Sequence, residues 1–167
     1  MNTAPLPASP FQRGQPFQAP DGTPHDPFHA EEALPDTAVC EACGAVHCEG
    51  RWQWAIPPAG AQAVVCPACR RMSAQQAAGH ITIAGAFACE HRDEIINLVR
   101  HVETHEKAAH PLHRIMSCRA EDGALLVDTT DAHLARAIGE ALERAYKGEL
   151  WSRHMEPGEV LRLHWQR

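Results

Sequence analysis

Four cysteines in two pairs, Cys40-x2-Cys43 and Cys66-x2-Cys69, carry the strongest chemical signal in the chain. Two thiolates three positions apart on a tight turn can face one tetrahedral ion, and a second such turn completes the set of a structural zinc site. Gly44 follows the first pair and Pro67 lies inside the second, residue types that suit such turns. With all four places filled by protein, none stays open for activating water, so the expected cofactor is one structural Zn2+. The twenty-two residues between Cys43 and Cys66 suffice for a hairpin that carries the chain out and back, a zinc ribbon. His47 and Cys48 are rival ligands, but two intact pairs need neither, and both suit the strand leaving the first turn. Cys89 and Cys118 read as small core residues.

Aromatic and basic residues crowd these cysteines. Trp52 and Trp54 alternate with Gln53 and so point to one face of a strand, with Arg51 just before them and Arg70-Arg71 directly after the second pair. Arginine beside aromatic rings suits RNA, whose unstacked bases lie on rings while phosphates meet guanidinium groups. Equally, a ribbon short of core material can use the two tryptophans as its core or as its seam with a neighbouring region. The Arg70-Arg71 pair points toward a partner. His101 and His105 stand four apart on a helix, but HVETH is not the HExxH of zinc peptidases, and no third ligand accompanies it. Neither a GxxxxGK[ST] phosphate loop nor a GxSxG nucleophile context occurs, and a non-enzymatic protein is the expectation.

Seven cysteines without an unbroken apolar leader fit metal binding in a reducing compartment better than a disulfide framework, and the expected location is cytoplasmic. No apolar run approaches the roughly 20 residues of a membrane span. Eight of the thirteen prolines fall in residues 1–36, which carry a net charge of −4 out of −6 and few branched aliphatics, and this segment reads as a disordered acidic tail. A globally acidic chain argues against general polyanion binding. Thirteen of its fifteen basic residues are nonetheless arginine, the side chain best fitted to phosphates and stacking, so a local basic patch stays open.

The elements that must hold these residues divide into a cysteine region, 37–75, and a second region, 76–167. HITIAG alternates as a strand, and Ile95, Leu98, Val99 and Val102 form the stripe of a helix stopped by Pro111. HRIMSC and ALLVDT form a hairpin through Asp122-Gly123. Thr130 or Asp131 caps a second helix striped by Leu134, Ile138, Ala141, Leu142 and Ala145, which stops at Gly148. Two strands, ELWSRHM and EVLRLHW, close the chain around a Glu156-Pro157-Gly158 turn. The expected class is α+β: a four-cysteine ribbon, then a ferredoxin-like β-α-β-β-α-β sandwich with an extra C-terminal strand and an antiparallel sheet. In the last strand Leu161, Leu163 and Trp165 should face the helices, leaving Arg162 and His164 on an open side available to a partner.

CEACGAVHCEGRWQW, CPACRR, GHITIAG with its long helix, and LLVDTTDAHLARAIGEALERAYKGEL together resemble a small bacterial family described as "NMD protein affecting ribosome stability and mRNA decay". That family is similar to the amino-terminal zinc-binding and α/β part of the archaeal and eukaryotic adaptor for large-ribosomal-subunit export. The resemblance spans most of the chain beyond Thr37. It implies zinc on Cys40, Cys43, Cys66 and Cys69, and association with the ribosome, its RNA or a ribosome-associated factor. Arg51, Trp52, Trp54, Arg70, Arg71 and Arg162 are the candidate contacts. The competing expectation is a protein-interaction or regulatory adaptor whose zinc is structural and which touches no RNA.

Overall fold

The computed structural model describes residues 12–13, 34–153 and 160–167. In chain order the elements are β1 (Gln12–Arg13), β2 (Thr37–Cys40), β3 (Val46–Cys48), β4 (Arg51–Gln53), β5 (Gln62–Val64), α1 (Pro67–Ala74), β6 (Gly79–Ala84) and α2 (Ala86–Glu90). Then follow α3 (Arg92–Ala109), β7 (Ile115–Glu121), β8 (Ala124–Thr129), α4 (Ala132–Tyr146), β9 (Glu149–Arg153) and β10 (Leu161–Gln166). They build two sheets, so the α+β class read from the sequence stands. The tail expected over residues 1–36 lies mostly outside the described residues, as does the Glu156-Pro157-Gly158 turn. Within that tail, Gln12 and Arg13 pair antiparallel with Ser152 and Trp151.

The small sheet has the order β4-β3-β2-β5, with β5 parallel to β2 and the other pairs antiparallel. The large sheet has the order β1-β9-β10-β6-β8-β7. Its right half keeps the split pattern: β8 lies between β6 and β7 and is antiparallel to both. The β7–β8 hairpin turns at Asp122 (φ 47°) and Gly123 (φ 78°), the left-handed pair that matches the twist of the flanking strands.

The left half departs from the ferredoxin-like order and from an all-antiparallel sheet. The final strand is not the closing edge: β10 inserts between β9 and β6 and runs parallel to β6, making the sheet mixed. The physical reason lies in what each strand has to bury. Leu161, Leu163 and Trp165 on β10 are all buried, whereas β9 offers only the half-buried Leu150 to the same core, so the richer strand takes the interior place.

All the covering helices pack on one face of this sheet. α3 places Ile95 and Val99 in the core, with Asp93 and Glu94 at its start and Lys107 at its end complementing the helix dipole. α4 is capped by Asp131, whose Oδ1 accepts from the His133 amide at 2.6 Å, and buries Leu134, Ala135, Ile138, Gly139 and Leu142. It lies so close to β6 that a Cβ at Gly79 would come within 2.5 Å of the Ala135 Cβ, a position only glycine can occupy. The helix expected from Glu90 onward has an additional short predecessor, α2, separated from α3 at His91. Among the described residues no helix is long and apolar enough to cross a membrane.

Candidate metal centre

Cys40 ends β2, and the chain turns so that the Gly44 amide donates to the Cys40 carbonyl (2.8 Å) while the Cys40 amide donates to the Ala45 carbonyl (2.7 Å). This tight turn carries Cys40 and Cys43. The second pair is built differently from a ribbon turn. Cys66 is the N-cap of α1, its Sγ accepting from the Cys69 amide at 3.4 Å, and Pro67 takes the first helical position, where its fixed φ fits and no amide is needed. Cys69 then lies in the first turn, at the positive end of the helix dipole that favours thiolate.

The four sulfurs all lie within 4.8 Å of one another, and Cys43 Sγ is 3.8 Å from Cys66 Sγ. A tetrahedral ion with metal–sulfur bonds of about 2.3 Å holds its sulfurs about 3.8 Å apart, so the set fits one ion. Burial opposes ionisation of Cys40, but amide hydrogen bonds from Cys66, Ala42 and Cys43 bring its pKa down to about 7. Burial instead pushes the thiols of Cys66 and Cys69 up. A bound cation reverses that cost, because a coordinating thiol gives up its proton. His47 and Cys48 lie on β3 and outside the sulfur cluster, as expected.

The residue that sequence reasoning missed is Arg114. It is 7% exposed, and its Nη1 donates to Cys69 Sγ at 3.4 Å. Its Nε donates to the Pro111 carbonyl (2.8 Å), and its backbone exchanges hydrogen bonds with Thr130 (3.0 and 2.9 Å). Burial works against the guanidinium charge, but Cys43, Cys69 and Cys66 outweigh it and hold the Arg114 pKa above its ordinary value. Four thiolates on a divalent cation leave two negative charges, and Arg114 offsets one of them. Nothing in the local sequence marks this arginine, since its partners come from two distant elements.

The two tryptophans make different contacts, and Trp54 remains 42% exposed. Trp54 Nε1 donates to the Lys107 carbonyl at 2.6 Å, satisfying one of the orphan carbonyls at the end of α3. The Arg114 guanidinium lies 6.0 Å from the centre of its ring. Trp52 is half-buried against the cysteine cluster and tilts on His47 with ring centres 5.4 Å apart. Arg71 is likewise turned inward, 6% exposed, with Nη1 on the Gln76 carbonyl at 3.4 Å, which corrects its assignment as a surface contact. Arg70 is half-buried and donates from Nε to the Val65 carbonyl at 3.0 Å. Arg51 is exposed on β4.

Arg162 lies elsewhere, exposed on the open face of the large sheet as its strand parity requires. Beside it runs a polar network absent from the sequence reading. Asp128 on β8 is bonded by the His80 Nδ1, by Ser117 Oγ (2.6 Å) and by Arg119 Nη1 (2.5 Å). Burial disfavours its charge, but the bonds from Ser117, Arg119 and His80 prevail and hold the carboxyl below the usual range. The alternation of β6, β7 and β8 could have placed these side chains on one face, but not paired them.

Fold and site together define a two-sheet α+β protein with a closed four-cysteine centre able to hold one metal ion. Compared with known proteins, the chain has no significant match to a protein-family model, a curated protein or a solved structure.

Proposed function

We propose that the protein is a non-enzymatic zinc protein of the cytoplasm that associates with the ribosome or with RNA in translation or mRNA turnover. The observation that carries the zinc reading is the set of four sulfurs within 4.8 Å of one another, with Arg114 against Cys69. Four thiolates favour zinc over harder cations, and they leave no coordination position for a substrate. The seven cysteines are free thiols, which suits a reducing compartment. The ribosome and RNA reading rests on the motif resemblance, and it is supported by exposed arginines on two surfaces, Arg51 on the small sheet and Arg162 on the large one.

The test joins metal analysis to cosedimentation. The purified full chain should carry one zinc per chain, released only with loss of structure, and should travel with ribosomal particles at low salt. A chain free of zinc when folded would sink the metal reading. A chain that stays in the supernatant would sink the ribosome reading. The adaptor alternative is favoured by the net charge of −6 and by the contacts of Trp52 with the cysteine cluster and of Trp54 with the Lys107 carbonyl. Recovery of one protein partner, with no RNA after nuclease treatment, would decide for it.

A further inference from the structure

The helices cover one face of the large sheet, and strand register orders the side chains of the other. One row crosses five strands as Arg153, Arg162, His80, Asp128 and Ser117. The next reads Trp151, His164, Thr82, Leu126 and Arg119. Every one of these ten residues is exposed or half-buried, unlike the alternate positions that form the core.

Arg153 and Arg162 stand directly opposite each other on β9 and β10, and both are exposed. Like charges in that relation destabilise a sheet. Among the described residues neither has a carboxylate partner, while Arg119, farther along the face, is bound to Asp128 and lies 3.5 Å from Glu121. An unpaired cationic couple held side by side on a rigid sheet is the arrangement that an anion between them relieves. Beside it, Trp151 tilts on the His164 ring at 5.4 Å, giving the face an aromatic platform one row from the cations.

His80 follows Arg162 in the same row. An ionised Asp128 can only accept, so the His80 Nδ1 carries the proton it shares, and Nε2 is left as the ring's other polar atom. The face therefore offers cations for phosphate, a ring for a base and a hydrogen-bonding imidazole for a hydroxyl, which both donates and accepts. A broad sheet of this kind fits an unstacked single strand rather than a duplex, whose bases stay inside.

We propose that this face binds single-stranded RNA, with phosphate on Arg153 and Arg162, a base stacked on Trp151, and a ribose 2′-hydroxyl hydrogen-bonded to His80. The inference rests on the RNA reading above but places the contact away from the cysteine centre.

The experiment is fluorescence anisotropy of the zinc-loaded full chain with labelled oligouridine of about ten nucleotides, a length that spans such sites, against DNA of the same length. Titrations run at about 50 mM salt and again at about 200 mM, where phosphate contacts weaken steeply. Arg162→Glu and Arg153→Glu should each weaken RNA binding at least about tenfold, since each replaces a phosphate contact by repulsion. The thermal midpoint should stay level or rise, because the substitution turns a like-charged cross-strand pair into an opposite one. Trp151→Ala should cost about tenfold through lost stacking. His80→Ala should erase the preference for RNA over DNA. Arg144→Glu, on the exposed side of α4, should change nothing.

No RNA binding, equal losses from Arg144→Glu, or a phosphopeptide bound in place of RNA would each overturn the proposal. If oligouridine binding is lost in Arg51→Glu plus Arg70→Glu but kept in Arg162→Glu, the face fails while the RNA reading stands. If oligouridine is ignored while cosedimentation persists, the face again fails alone. Failure of cosedimentation with face-dependent oligouridine binding removes the ribosome and leaves the face.

Discussion

The large sheet buries Trp165, Ile81, Ile83, Ile95, Leu134, Ile138 and Leu142 between itself and its helices, whereas the buried interior at the cysteine centre is Cys40, Ala45, Cys66 and Ala68. The first is a hydrophobic core of ordinary size and needs no ligand. The second has almost no branched aliphatic surface to withdraw from water, and its strands are three or four residues long. Two of its four cluster residues are candidate metal ligands, Cys40 and Cys66. One half is thus held by dispersion and burial, while the other has a small core around four cysteines that could hold a metal ion, and the contrast says where each half is vulnerable.

The comparison breaks most sharply on metal removal. Structural zinc sites carry apparent binding free energies of about 10–16 kcal/mol at neutral pH, so chelation or Cys66→Ser should open the small sheet outright. Hydrogen exchange checks it: amides of β2, β3 and β5 should lose protection while those of β6, β8 and β10 keep theirs. Uniform loss across both sheets would mean that the halves do not differ in this way. The reciprocal lesion is Trp165→Ala, which removes a fully buried ring and the Nε1 bond to the Lys147 carbonyl at 2.9 Å. It should cost about 3–5 kcal/mol in denaturant unfolding followed through the large sheet, with zinc content unchanged.

Two smaller effects sharpen the boundary. Arg114→Met keeps bulk but removes the charge beside Cys69, and zinc affinity measured by chelator competition should fall about 10–100-fold, as for other partners of metal ligands. Trp54→Phe keeps the ring but deletes the donor to the Lys107 carbonyl, and unfolding should report a loss of about 1 kcal/mol. A test by pH is smaller still. Asp128 has a depressed pKa in the folded state, so its contribution is present above the unfolded value of about 3.9 and is lost as pH falls through the lower folded value. Asp128→Asn should flatten that acid limb.

What the sequence made legible follows the same division. CxxC spacing picked out the four cysteines whose sulfurs cluster, because two residues three apart face the same way on a tight turn or in the first turn of a helix. The strand β8 over Ala124–Thr129, the Asp122-Gly123 hairpin and a cap at Thr130 or Asp131, which falls on Asp131, were readable because local chemistry alone specifies them. The order of the large sheet was not, because alternation says which face a residue takes and not which neighbour its strand finds. Arg71 illustrates a second limit: its charge suggested a partner, but the short α1 turns it onto the Gln76 carbonyl. Arg114 and the His80–Asp128 pair show a third, since their meaning arises from residues distant in sequence.

The insertion of β10 beside β6 also sets an order of events during synthesis. The central seam of the large sheet joins Ile81 to Leu163, so this core stays unfinished until roughly eighty further residues have emerged. At about 5–20 residues per second that interval lasts on the order of several seconds, during which the apolar faces of β6 and α4 lack their central neighbour. All four cysteines precede β6, so metal capture can be complete before the larger half has its last strand.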